Sequence, residues 1–314
     1  GNVTESFTVT VNVTSDLAGA LLFATSRIHL KKEVDVLSGS ILVNEAGNHG
    51  NDDDDDDEDD DGDDDDEDDD DHHHNSHCGH GNSHGHGHDI QLKVDKDVMV
   101  AGGYMVKADR MKVSRNATIA SDVYSNDLDD DGDITGVVNS DVDFPLFENL
   151  PPFKSADAGN QNITVHRNQE VVLEPGDYGR IYVRDRGTLT FTGGVYNIEK
   201  LETKRSSHVR FQEASEVRVE RKMKIAKRAY VGPAGGSYID ASDIIFYYND
   251  DDDIKIEQQA EFYGTIYAPY AKVELKKRTS LTGAIYAEQV YVHERSELTL
   301  DSYFFNGASG LAKG

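Results

Sequence analysis

Two adjacent runs of charged and metal-binding residues dominate one part of the chain. Residues 52–71 contain nineteen Asp and Glu, broken only by Gly62, and residues 72–88 contain eight His and the single Cys. Carboxylate oxygens suit Ca²⁺ and Mg²⁺, whereas imidazole and thiolate suit Zn²⁺, Ni²⁺ and Cu²⁺. Burial of one unpaired carboxylate costs several kcal/mol, so the acidic run must be solvated, bind cations or face a basic partner.

The His run offers imidazole nitrogens at the close spacing that transition metals use. We predict that Zn²⁺, Ni²⁺ or Cu²⁺ binds there, with a flexible polar linker as the alternative for the run and a free thiol as the alternative for Cys78. The predicted ligands are His72, His74, His77, Cys78, His80, His84, His86 and His88.

A shorter acidic motif, D-L-D-D-D-G-D-I, occupies residues 127–134. Its alternating aspartates followed by a glycine match the first half of an EF-hand calcium loop, although Val138 stands where that loop has a bidentate Glu. The sequence predicts a Ca²⁺ site here, with a polar turn as the alternative. The predicted ligands are Asp127, Asp129, Asp131 and Asp133.

A second acidic cluster follows the apolar residues 244–248. It is interpreted as another Ca²⁺ site, and its alternative is a solvated loop. The cluster consists of Asp250, Asp251, Asp252 and Asp253.

The composition excludes several classes of protein. The formal net charge is −29 over 314 residues, and it is about −10 without the nineteen acids of residues 52–71. Such a chain repels phosphates, so we expect no nucleic-acid partner. The longest apolar stretch, residues 17–24, is too short to span a bilayer.

The rest of the chain repeats with a period of 17 to 20 residues. The sequence FYGTIYA at 262–268 returns nineteen residues later as LTGAIYA at 281–287, and VVL at 171–173 returns eighteen residues later as LTF at 189–191. Short β-rich stretches separated by Gly, Asn and Ser turns at this period predict a β-solenoid. Outward positions of successive coils then line up along the stack.

These residues also carry a family resemblance. The stretches LEPGDYGRIYV (173–183), GTLTFTGGVYNI (187–198) and residues 262–292 resemble secreted bacterial right-handed parallel β-helix proteins, including those found beside pilus-assembly genes. The likeness covers roughly residues 100–303, and its motifs are structural rather than catalytic. It implies a right-handed parallel β-helix and a secreted, extracellular or cell-surface protein.

The expected organisation follows from these patterns. Residues 1–24 form an N-terminal arm in which residues 7–14 alternate as a strand does. Residues 25–303 form an all-β, right-handed parallel β-helix, interrupted by an acidic and His-rich loop at 45–89. Residues 304–314 are a C-terminal tail.

Catalytic motifs are scarce. We find no glycosidase-type acid pair, no nucleophile elbow and no glycine-rich phosphate loop. We therefore expect a non-enzymatic protein. A Ca²⁺-dependent polysaccharide lyase stays as an alternative, because β-helices include such enzymes.

Basic residues gather in two segments. Ten Lys and Arg lie between Lys200 and Arg228, and four more lie between Lys272 and Arg278. On a solenoid they form a basic face that pairs with the acidic loop of another molecule, directly or around cations. Ordinary solvated faces are the alternative.

The predicted function is a subunit of an extracellular filament or surface layer, assembled or stiffened by divalent cations, with Ca²⁺ favoured. The predicted partners are further copies of the chain and divalent cations. A monomeric adhesin or metal-sequestering protein is the alternative. Acidic or neutral glycans are possible partners if five tyrosines form an exposed aromatic groove. We favour the alternative, in which these tyrosines are scattered over the outside of the coils. The five tyrosines are Tyr182, Tyr263, Tyr267, Tyr286 and Tyr291.

Overall fold

The computed structural model describes residues 17, 19–45, 90–148 and 150–306. They form β-strands, a short 3-10 helix (Ala241–Asp243) and a short α-helix, α1 (Tyr303–Asn306). The strands before residue 140 are β1 (Ala20–Leu30), β2 (Asp35–Val36), β3 (Ser40–Val43), β4 (Leu92–Val94), β5 (Met99–Val100), β6 (Met105–Lys107), β7 (Arg110–Val113), β8 (Thr118–Ile119), β9 (Asp122–Tyr124), β10 (Asp127–Asp130), β11 (Asp133–Ile134) and β12 (Val138–Asn139).

The later strands complete the fold. They are β13 (Ile163–Val165), β14 (Glu170–Leu173), β15 (Gly176–Val183), β16 (Thr188–Phe191), β17 (Gly194–Thr203), β18 (His208–Phe211), β19 (Ser215–Ile225), β20 (Tyr230–Pro233), β21 (Ile244–Tyr248), β22 (Ile254–Ile256), β23 (Glu261–Leu275), β24 (Ser280–Val292) and β25 (Glu297–Leu300).

These strands build a parallel β-solenoid of about twelve turns, which confirms the all-β solenoid prediction. For example, β15 pairs in parallel with β13 on one side and with β17 on the other. Alternate Val, Ile, Leu and Phe side chains point inward and stack into one continuous core. At about 4.8 Å per coil, the stack is roughly 50 Å long.

The coils are stacked in a different order from the chain. Strand β1 pairs with β24 on one side and with β3 and β4 on the other, so the first described strand lies in the middle of the solenoid. Coils from β1 to β12 run from the middle to one end. Coils from β13 to β25 run from the other end back to the middle. Among the described residues, the first solenoid strand begins at Ala20, inside the segment that the sequence assigned to an N-terminal arm.

A segment that we call the strap, residues 143–148 and 150–158, runs between the two ends along one face. The Phe147 backbone N–H donates to Asn44 Oδ1 at 2.8 Å, the Tyr267 hydroxyl donates to the Pro151 carbonyl at 2.6 Å, and Lys154 Nζ lies 2.5 Å from Glu216 Oε2. These contacts advance along the stack, because Asn44, Tyr267 and Glu216 belong to successively more distant coils.

The strap covers a second apolar core on the outside of the solenoid. Outward aromatic side chains of neighbouring coils are buried beneath it, and burial raises the pKa of Tyr267 to about 12. Phe304 of α1 packs on this core, 4.9 Å from the Tyr286 ring, so residue 304 belongs to the packed body rather than to the tail. The buried column consists of Tyr247, Tyr267, Tyr286, Phe23 and Leu42.

Ten coils share a four-residue turn with its third residue in the left-handed region. Several of these turns close with a hydrogen bond from the fourth N–H to the first carbonyl, as from Gly187 to Arg184 at 2.8 Å. The turns stack into a line that we call the turn ridge. Its left-handed residues are Glu33, Asp97, Asn116, Asn168, Arg186, Ser206, Arg228, Gln259, Arg278 and Arg295.

Candidate functional site

Positive charge is concentrated on one side of the solenoid. Of the 31 Lys and Arg in the chain, 25 lie in the turns of the turn ridge or within the four residues that precede each turn. Asp and Glu also occupy those positions, among them Glu202, Asp253 and Glu274. We call this surface the basic face. Its cations are Arg27, Lys31, Lys32, Lys93, Lys96, Arg110, Lys112, Arg115, Arg167, Arg180, Arg184, Arg186, Lys200, Lys204, Arg205, Lys222, Lys224, Lys227, Arg228, Lys255, Lys272, Lys276, Lys277, Arg278 and Arg295.

Strand register aligns the face over the whole stack. One outward position of the strand before the turn forms an unbroken column with one side chain per coil, about 4.8 Å apart. From end to end the column is Thr164, Tyr182, Glu202, Lys224, Lys255, Glu274, Tyr291, His29, Lys93, Lys112 and Asp129.

Several acids of the basic face lie inward of its cations. The Glu202 side chain is 16% exposed and lies 2.8 Å from Arg180 and 3.6 Å from Lys222, which are 51% and 50% exposed. Each such carboxylate is paired with cations that lie on its solvent side. The layer that meets solvent is therefore cationic over these coils.

Glu274 follows the same arrangement and is 11% exposed. Burial alone would raise its pKa, but hydrogen bonds from His293 at 2.7 Å and Lys276 at 2.6 Å outweigh burial and hold the pKa at about 2. The carboxylate is thus charged at neutral pH.

The predicted EF-hand-like motif forms the last coils at one end, which we call the acidic end. Asp127 and Asp129 lie in strand β10, directly over Arg110 and Lys112 of β7, with distances of 4.0 and 3.0 Å. A hydrogen bond from Lys112 to Asp129 raises the Lys112 pKa. Alternate residues of a strand share a face without converging on one point, so the expected loop geometry is not formed.

The second acidic cluster lies in the connection between β21 and β22. Asp253 pairs with Lys272 at 3.0 Å. Burial first, and then the four neighbouring carboxylates, raise the pKa of Tyr248. Among the described residues, no group of three or more His, Cys, Asp or Glu is arranged to hold a metal ion. Cation binding at both clusters stays a prediction based on charge.

The acidic run, the His run with Cys78 and the alternating residues 7–14 lie outside the described residues. The metal sites predicted at His72, His74, His77, Cys78, His80, His84, His86 and His88 therefore stay predictions.

Both ends of the solenoid present strand edges. Within the described residues, β13 and β14 pair only with β15 and β16, and the strands of the acidic end, β10 to β12, pair only with β7 to β9. Apolar side chains are exposed at both ends, with Val172 58% exposed at one and Val137 and Val138 62% and 51% exposed at the other.

The five tyrosines do not form one groove. Tyr267 and Tyr286 are buried under the strap, and Tyr263 lies on the strand after the turn. Tyr182 and Tyr291 lie on the basic face, where the Arg180 guanidinium is 4.7 Å from the first ring and Lys272 Nζ is 5.5 Å from the second.

Sequence reasoning found part of the basic face and missed its extent. Its two basic segments belong to the middle coils. The signal for the rest was a Lys- or Arg-rich turn in almost every repeat, such as KKEV at 31–34 and SRNA at 114–117. The second core gave no comparable signal, because the strap that covers it has no repeat.

Comparisons with known proteins add the following. Residues 154–304 match a family described as a domain of unknown function, DUF7305. No curated protein matches the chain. A crystal structure of an ice binding protein from an Antarctic bacterium, Flavobacteriaceae, aligns over 90% of this chain and 80% of its own, with 11% identity and a TM-score of 0.27. In the described residues, no helix is long and apolar enough to cross a membrane.

Proposed function

We propose that the chain is a non-enzymatic, extracellular structural protein that stacks end to end into a filament or surface layer, with divalent cations, Ca²⁺ first, promoting the contact. The observation that carries this proposal is the pair of solenoid ends. In the described residues, each end has strands paired on one side only and exposed valines.

Unpaired strand edges are templates for a further strand. A second solenoid can continue the parallel ladder by placing β13 and β14 against β10 to β12 of its neighbour. The contact joins two different surfaces, so it repeats without closing and gives an open filament. Val138 at one end and Val171 at the other lie at inward positions, in register with buried Val123 and Leu189, so their burial in each contact adds a hydrophobic contribution.

Charge explains why divalent cations promote this contact. Residues 127–143 contain seven Asp and no Lys or Arg, whereas residues 163–173 of the opposite end contain one Arg and one Glu. Asp127 is 68% exposed even though it faces Arg110. Cations that condense on these carboxylates lower the cost of bringing them to an interface. No dedicated loop is needed for that effect.

Sedimentation of variants in millimolar Ca²⁺ tests the end contact. Val138→Lys places a charge on the exposed core of the acidic end, in register with buried Val123, and is expected to leave only small species. Val195→Lys is the matched control, because Val195 is 41% exposed on β17, which has neighbours on both sides. Assembly by Val138→Lys at wild-type levels would remove the end-contact proposal.

Strand exchange by residues 7–13 is a second route to the same filament. Deletion of residues 1–14 distinguishes the two routes: retained assembly favours end stacking, and lost assembly favours exchange. A protein that stays monodisperse under all conditions while binding Ca²⁺ would favour the adhesin or metal-sequestering alternative.

A further inference from the structure

We infer that the basic face binds a linear acidic polysaccharide, which lies along the solenoid with roughly one charged sugar per coil. This surface is separate from the two ends, so the inference does not rest on end-to-end assembly.

The positive charge of the basic face favours an anionic ligand. The chain as a whole carries −29, yet 25 of its 31 cations are collected on this side. Over the coils from β15 to β24 the cations are the outer layer: Lys224 is 48% exposed and Lys277 44%, while Glu202 and Glu274 lie beneath their partners. Such a surface attracts an extended polyanion and orients it along the column.

The spacing of the face selects a polymer of moderate charge density. Coils repeat at about 4.8 Å, which is about the length of one sugar in an extended chain. Duplex DNA carries one charge per about 1.7 Å, and the remaining negative charge of the protein opposes so dense a polyanion. A polyuronate with one carboxylate per sugar matches the spacing. The ladder is held by backbone hydrogen bonds, so the spacing of the coils is fixed before binding.

Two tyrosines favour a sugar over an acidic peptide. Tyr182 and Tyr291 lie in the same column, five coils apart, and a cation lies over one face of each ring. An aromatic ring beside a cation offers an apolar surface for the C–H face of a sugar and a charge for its carboxylate. An aspartate-rich peptide has no such apolar face.

Calorimetry with the full chain in EDTA tests the inference under conditions that do not favour cation-dependent assembly. The probes are a ten-sugar oligogalacturonate, its fully methyl-esterified form, a ten-residue poly-aspartate and a short DNA duplex. We expect oligogalacturonate to bind at low salt and the ester to bind at least tenfold more weakly, because it has the same backbone without charge. Absence of oligogalacturonate binding at low salt overturns the inference.

A triple substitution locates the site. Arg180→Gln, Lys222→Gln and Lys224→Gln together are expected to weaken binding on the order of tenfold and to lower the slope of log K against log salt by about one per lost contact. The control triple is Lys107→Gln, Arg210→Gln and Arg218→Gln, which removes equal charge from the other two faces. An equal loss in the control triple overturns the inference.

Removal of the rings separates sugar from peptide. Tyr182→Ala with Tyr291→Ala is expected to weaken oligogalacturonate binding several-fold and to leave poly-aspartate unchanged, whereas the exposed Tyr238→Ala has no effect. Tighter binding of poly-aspartate or DNA than of oligogalacturonate, with no effect of the double substitution, contradicts a polysaccharide ligand. The esterified probe keeps the test valid if a variant does not fold.

Discussion

The Glu274 carboxylate accepts hydrogen bonds from Lys276 and His293 through one oxygen, Oε1, at 2.6 and 2.7 Å. Glu202 is held in a similar way between Arg180 and Lys222. A face made only of cations would repel itself. Carboxylates placed inward reduce that repulsion and leave the outward charge positive.

The Glu274 ion pair makes a pH-dependent contribution to stability. Its pKa in the folded protein, about 2, lies below the ordinary 4.5, so the stabilisation is present above pH 4.5 and is lost as pH falls toward 2. Glu274→Gln should lower the free energy of unfolding at pH 7 by about 1–2 kcal/mol, allowing for solvent screening. Denaturant titration measures this free energy of unfolding. The difference between Glu274→Gln and wild type should shrink as the pH falls from 4.5 to 2. A constant difference across that range would exclude this assignment.

The glycine of the repeated G-x-I-Y-A motif is required by close approach of adjacent coils. A Cβ on Gly283 would lie 1.9 Å from the Gly264 carbonyl oxygen, and the backbone cannot move away without breaking the ladder between β23 and β24. Gly283→Ala should therefore lower the free energy of unfolding by about 3 kcal/mol or more. Gly235→Ala, where a Cβ meets nothing within 4 Å, is the control and should be near neutral. Thermal denaturation compares them, and equal stabilities would contradict the packing argument.

The residues 127–134 are compatible with two local structures. Aspartates at 127 and 129 fit a calcium loop, but alternate residues also share one face of a strand. The residues that distinguish a calcium loop from a strand lie seventeen positions earlier, where Arg110 and Lys112 occupy the same positions of the preceding coil. A periodic comparison of charges, rather than a local motif, would have found this pairing.

At the scale of elements, the strap holds together coils that are far apart along the solenoid. Phe147 inserts beside Phe23, with ring centroids 5.9 Å apart, and Asn44 bonds both the N–H and the carbonyl of Phe147. Phe153 lies farther along, against Tyr247 and Tyr267. One segment therefore supports both halves of the stack.

Loss of the Phe147 ring should loosen the strap. Phe147→Ala should lower the free energy of unfolding by about 3 kcal/mol, because the side chain is 8% exposed and its removal leaves a cavity. Hydrogen exchange should become faster at residues 144–153, while β4 to β8 keep their protection. Tyr238→Ala, at a fully exposed position, should stay within about 0.5 kcal/mol of wild type. Unchanged exchange in the strap would argue against this role.

The elements were predictable to the extent that they repeat. The period of 17 to 20 residues and the alternation of apolar side chains identify the coils and their inward faces, because each coil obeys the same geometry. The order of the coils was not predictable in this way. Periodicity does not show that β24 meets β1, some 260 residues away in the chain, and the strap has no period because it crosses the coils.

At the scale of the whole molecule, the solenoid separates two kinds of surface. The sides carry aligned side chains, including the basic face, and the ends carry strand edges. Growth through the ends leaves the sides free, so a filament would repeat the basic face along its length. Side binding and end assembly are thus compatible and can be lost independently.

Electron microscopy of the purified full chain, in millimolar Ca²⁺ and again after addition of EDTA, tests end-to-end assembly most directly. We expect regular filaments in Ca²⁺ that fray or shorten in EDTA, with an axial repeat of about 50 Å from roughly one solenoid per subunit. Single particles under both conditions would contradict end-to-end assembly.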